Sequence, residues 1–214
     1  MRVLPVALAA FGFALLVVPA CVSRPIPVHL DPAPREFVAS DYEAILKRWT
    51  RSEKLYTLQG VDDALASTST FESWEFRWAY VIRYAEDYRL TIEQRKELLT
   101  AALDDAKQTH QFYVTLHGNK FQDADLLRQN PAWVARLVDD KGHVSAPEKI
   151  IAIRKPGLLE RTYFPYTNGW RQTFRLRFPA KTENGPSIAD DANLVVLRFS
   201  GPLGNLELTW ERAK

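Results

Sequence analysis

Between residues 40 and 108, apolar positions recur at three- and four-residue steps. Tyr42, Ile45, Leu46 and Trp49 share one helical face. So do Trp74, Trp78, Val81, Ala85 and Tyr88, and again Ile92, Leu99, Leu103 and Ala106. Each run is preceded by a hydroxyl with Glu or Gln three residues on: Ser40 with Glu43, Ser69 with Glu72, Thr91 with Gln94. At that spacing the two side chains satisfy the first free amides of a helix. Gly60 and the STST stretch at 67–70 break the pattern. Three main helices are expected, with a short one at 61–66.

From about residue 111 the period falls to two. Phe112, Val114 and Leu116 alternate with polar neighbours, as do Trp133, Ala135 and Leu137. Ile151 and Ile153 alternate with Ile150 and Ala152; Phe174, Leu176 and Phe178 with Thr173, Arg175 and Arg177; Leu206, Leu208 and Trp210 with Asn205, Glu207 and Thr209. DDKG at 139–142 reads as a hairpin tip, and KTENGPSIADDAN at 181–193 as a long loop. Short strands without helices between them point to antiparallel pairing. The expected fold is α+β: a helical subdomain at 40–109, then a β-sandwich at 110–214. The sandwich is immunoglobulin-like in architecture only, because the Cys-Trp-Cys signature is missing.

Ahead of both lies a run from Val3 to Ser23 with no charged residue, behind Arg2. A positive start, an apolar stretch and small residues at its end make a secretory signal. VPAC at 18–21 resembles the lipobox of bacterial lipoprotein precursors. The resemblance implies cleavage after Ala20, a diacylglycerol on the Cys21 thiol and a third acyl chain on its amine. Val22, where Asp would favour retention at the inner membrane, implies the outer membrane. Two other fates are compatible with the leader: secretion without lipid, and an uncleaved membrane helix, into which Pro5, Gly12 and Pro19 fit poorly. Lipidation alone accounts for both the position and the solitude of the cysteine. Residues 1–20 are thus read as signal peptide. Residues 21–39, with prolines at 25, 27, 32 and 34, are read as an extended tether able to reach roughly 55 Å; an arm packed along the domain is the alternative.

Composition narrows the function classes. The net charge is +2, and removing Arg2 with the leader leaves 27 basic against 26 acidic residues. That balance lacks the basic excess nucleic acid requires. A single cysteine forbids intramolecular disulfides and multi-cysteine metal sites.

No catalytic constellation stands out. GPSIA at 185–189 approaches a nucleophile elbow but ends in Ala189 and lies in the polar loop. His29, His110, His117 and His143 have no metal-ligand spacing. Asp139, Asp140 and His143, like Asp123 and Asp125, suit turns better than cations. Neither a metal nor a cofactor is expected. Aromatics are the enriched resource: Trp74, Phe76, Trp78, Tyr80, Tyr84 and Tyr88 surround one helix, and YFPYTNGW at 163–170 adds four more. Arg171, Arg175 and Arg177 share a strand face, which a solvated outer sheet surface would explain. Tyr163, Tyr166, Trp170, Arg171, Arg175 and Arg177 form the expected binding surface if there is one. The function expected is that of a membrane-anchored envelope lipoprotein that binds another envelope protein without catalysis. The alternatives are an enzyme acting on envelope polysaccharide, or a carbohydrate- or lipid-binding module.

Overall fold

The computed structural model describes residues 26–32, 37–56, 63–183 and 185–213. The leader, Cys21 and residues 22–25 and 33–36 of the expected tether lie outside them. The chain is mixed helix and antiparallel sheet. Helices α1 (Tyr42–Trp49), α2 (Trp74–Asp87), α3 (Ile92–Gln108) and α4 (Leu158–Tyr163) accompany a five-stranded and a four-stranded sheet. The first sheet contains β1 (Thr50–Tyr56), β2 (Asp63–Phe71), β3 (Thr109–Gly118), β6 (Lys149–Ala152) and β7 (Gln172–Pro179), ordered β1-β2-β3-β7-β6. The second contains β4 (Val134–Asp139), β5 (Val144–Ser145), β10 (Leu194–Gly201) and β11 (Gly204–Glu211), ordered β11-β10-β4-β5. A small hairpin, β8 (Lys181–Thr182) with β9 (Gly185–Pro186), decorates the loop expected at 181–193.

Two expectations are corrected. Residues 40–109 do not form a helical block, because β1 and β2 arise within them and pair with each other and with β3. Residues 63–66 of the expected short helix are strand. The sheet therefore runs across the expected boundary at 109/110. Two antiparallel sheets sharing one core are compatible with a sandwich, but this strand order does not establish an immunoglobulin-like arrangement. The cause is the STSTF stretch: its hydroxyls hydrogen-bond across the sheet, Thr70 to Thr50 at 2.7 Å and Thr68 to Ser52 at 3.0 Å. Such Thr-rich pairs fit a pleated surface.

The tether is corrected too. Val28 is fully buried. Its N–H donates to the Glu211 carbonyl at 2.8 Å, and its own carbonyl accepts from Ala213 N–H at 2.8 Å. Arg51 holds the Ile26 carbonyl at 2.7 Å, and Arg212 pairs with Asp31 at 2.6 Å. Residues 26–31 are an arm stitched to the end of β11.

Register assigns the two faces of the large sheet. Phe71, Phe112, Leu176 and Ile150 form one cross-strand row, and Thr70, Tyr113, Arg175 and Ile151 the next, on the opposite face. The first face meets the second sheet, with the Trp210 ring 5.4 Å from Phe112 and 5.9 Å from Phe71. The second face lies beneath α2 and the segment after α4.

Candidate functional site

That second face is polar at its centre and half-covered. Strand alternation places Arg175 and Arg177 on one side of β7, with Arg171 just ahead of the strand, and that side is half-covered by α2 and α3: the Arg175 and Arg177 side chains are 36% and 28% exposed. A cavity of about 510 Å³ separates it from α2 and α3; Glu72, Arg77, Asp105, Gln111, Arg175 and Arg177 supply its polar lining.

Each charge has a positioned partner. Ser73, and not Ser69, caps α2, accepting from Phe76 N–H at 3.2 Å. Glu72 is thereby released from the expected capping box. Its carboxylate accepts from Gln111 Nε2 and, at 3.2 Å, from Arg175 Nε. Arg77 is tied down on all three nitrogens: Nε donates to the Glu72 carbonyl at 2.8 Å, Nη2 to the Thr109 carbonyl at 3.2 Å, and Nη1 to Asp105 and, at 3.4 Å, to the Ala102 carbonyl. The other Asp105 oxygen accepts from Arg177 Nη2 at 2.7 Å. Burial alone would raise the Asp105 pKa, but these guanidinium hydrogen bonds outweigh it and hold the carboxyl below the usual range. Arg177 also donates to Gln111 Oε1 at 3.5 Å and faces Glu148 at 3.7 Å.

Arg175 differs from the other two. Its Cζ sits 5.8 Å from the Tyr113 ring centre, and only its Nε–H has an acceptor among the described residues. Both terminal nitrogens of the fork are left open on a guanidinium that lines the cavity. Tyr80 lines the same cavity, and its hydroxyl likewise has no hydrogen-bond partner among the described residues. Burial, above all, pushes that hydroxyl up to about 12, so it remains a neutral donor.

The aromatics mostly build the wall. Phe164 stacks on Tyr113 at 3.8 Å between centroids. Tyr166 hydroxyl pairs with Thr70 Oγ1 at 2.7 Å, and Tyr163 hydroxyl donates to Asp87 at 2.8 Å. Arg171 reaches Thr68 Oγ1 at 3.1 Å. Of the expected binding surface, then, Tyr163, Tyr166 and Arg171 are engaged in structure, Arg175 and Arg177 line the cavity, and Trp170 alone stands out at 82% exposed. Sequence reasoning missed Glu72, Gln111 and Asp105 as their partners. Gln111 falling on the same side of β3 as Tyr113 was the available signal.

The Asp139–His143 turn is local. Asp139 accepts from the Lys141, His143 and Ala189 backbone amides and contacts His143 Nδ1 at 2.9 Å. Among the described residues no group of His, Cys, Asp and Glu has metal-binding geometry, and no helix is long and apolar enough to cross a membrane. No protein-family model, curated protein or solved structure matches the chain.

Proposed function

We propose that the protein is a lipid-anchored component of the bacterial cell envelope, most simply at the outer membrane, acting by binding rather than catalysis. The charged cavity is its binding site. The observation that carries this reading is the open fork of Arg175 beside two carboxylates that are both tied down. Glycoside hydrolysis, the alternative, needs one carboxyl kept protonated as a general acid. Asp105 is held ionised by two guanidinium groups, so it does not suit that role.

The anchor rests on the VPAC stretch, and the docked arm sets its length. Five peptide steps separate Cys21 from Ile26, at most about 18 Å of chain, so a lipid on Cys21 would hold the body at the bilayer surface. Trp170, exposed at the edge of the 163–170 segment, suits contact with another envelope protein.

Membrane fractionation with amino-terminal mass spectrometry tests the anchor. The mature chain is expected to begin with an acylated cysteine, and Cys21→Ser to shift into the soluble fraction. A Cys21→Ser chain that stays with the membrane overturns the assignment. A photoreactive residue at 170, irradiated in intact cells, tests the partner; a stoichiometric protein adduct is expected, and its absence removes Trp170 as a contact.

A further inference from the structure

We infer that the charged cavity and the apolar groove it opens into form one site for a single-chain anionic amphiphile, a long-chain fatty acid. Its carboxylate would sit on Arg175 and its tail between α2 and α3. The inference rests on the reading of the cavity as a binding site and adds the ligand class.

Continuity comes first. A second hollow of about 660 Å³ lies alongside the cavity, and Tyr80, Val81, Leu98 and Ala101 line both. The far hollow adds Tyr84, Leu90 and Leu159, and its one charged lining residue is Glu97, so it suits the tail and not the anionic head. Each hollow falls in the range of ordinary ligand pockets, roughly 300–1,000 Å³. The groove exists because α3 is held off the body: none of its residues is buried, although Leu98, Leu99 and Leu103 lie along it. Leu98 is 41% exposed. Among the described residues no side chain fully covers Leu98.

Charge selects the head group. Three guanidinium groups and two carboxylates line the cavity, and Glu148 lies 3.7 Å from Arg177, so the head group is selected at Arg175 rather than by a net charge. Arg77 and Arg177 spend donors on Asp105, the Thr109 carbonyl and Gln111, whereas neither Arg175 terminal nitrogen has an acceptor among the described residues, on a side chain 36% exposed. A planar carboxylate matches that fork in two parallel hydrogen bonds. Tyr80, at the junction of the two hollows, offers a further hydroxyl donor. One groove leaving the fork fits one chain.

The test uses the full chain in its own membranes with photoactivatable palmitate, the matching long-chain alcohol and photoactivatable phosphatidylglycerol. Palmitate is expected to label peptides carrying Val81, Leu98 or Leu159. The alcohol should label about tenfold less, the worth of a charge-assisted hydrogen-bonded pair. Arg175→Gln made together with Glu72→Gln removes both charges, so neither stays buried and unpaired; labelling should fall by about tenfold. Glu72→Gln alone removes the anion that competes for Arg175 and should raise it. Leu98→Glu, on an exposed helix position, should abolish it with the fold intact.

Equal labelling by palmitate and alcohol, or labelling indifferent to Arg175, overturns the inference. Phosphatidylglycerol labelling the groove in place of palmitate overturns the fatty-acid assignment and identifies a membrane lipid instead. If no probe labels but acetate raises the melting temperature in an Arg175-dependent way, the tail fails and the cavity reading stands. If acetate also does nothing, both fall.

Discussion

The indole N–H of Trp49 donates to Glu75 Oε2 at 2.7 Å, and the Glu75 side chain is fully buried. Arg48 takes the other carboxylate oxygen at 2.7 Å, so the last turn of α1 is tied to the first turn of α2. The Trp49 carbonyl in turn accepts from Trp210 Nε1 at 2.9 Å, extending the tie to β11. Glu75→Ala should orphan a buried indole donor, while Arg48, one-third exposed, can turn to water. The expected loss is about 2 kcal/mol. Trp49→Phe leaves the Glu75–Arg48 pair in place but takes the indole donor from a buried carboxylate oxygen and opens a cavity, so it should cost at least as much. Urea denaturation of both variants decides it; a Glu75→Ala chain as stable as the parent would show that the tie contributes nothing.

The docked arm makes a second prediction. Val28 buries its whole side chain, and its backbone makes two hydrogen bonds with the end of the β11 strand and its continuation. Val28→Ala removes the equivalent of two methylenes, about 1.6 kcal/mol at 0.8 kcal/mol each. For a chain of this size that lowers the melting temperature by roughly 3–6 °C. Val28→Asp places an unpaired charge there, so the arm should detach and residues 26–32 become open to proteinase K. Cleavage at parental rates would mean that the arm stays docked without its anchor.

Local rules were legible where one physical cause acts alone. The Thr91–Gln94 capping box is present in full, with Thr91 N–H to Gln94 Oε1 at 3.0 Å and Gln94 N–H to Thr91 Oγ1 at 3.2 Å. DDKG turns a hairpin between β4 and β5, with Gly142 at φ 93°. The alternation through Phe112, Phe174 and Leu206 marks true strands. The STSTF strand was not legible, because Ser and Thr side chains also favour loops by bonding their own backbone. Here partners fixed only by the tertiary fold, Thr50, Ser52 and Tyr166, take those hydroxyls instead. The cavity was half legible. Periodicity placed Arg175 and Arg177 together, but nothing local says that α2 and α3 would arch over them and half-cover the face.

The last prediction concerns acid. His110, at the start of β3, lies with its ring 6.1 Å from Phe71 at the edge of a hollow of about 610 Å³ lined by Trp74, Trp78 and Ile188. Burial, followed by the positive charge of Arg77, lowers its pKa from 6.5 to about 4. The native imidazole therefore stays neutral where the unfolded chain already takes up a proton. Between pH 6.5 and 4 the unfolded state binds more protons, so stability falls as the medium is acidified through that window. Below it the loss from this one group amounts to at most about 3 kcal/mol. Asp105 and Asp139 are both held below the ordinary carboxylate range, so the native protein keeps those charges until the pH falls lower. His110→Leu removes the proton difference and preserves an apolar contact with Phe71. Unfolding free energies from urea titrations at pH 7 and pH 4.5 should differ by about 2 kcal/mol less in the variant than in the parent. Parallel losses in the two chains would place the acid sensitivity elsewhere.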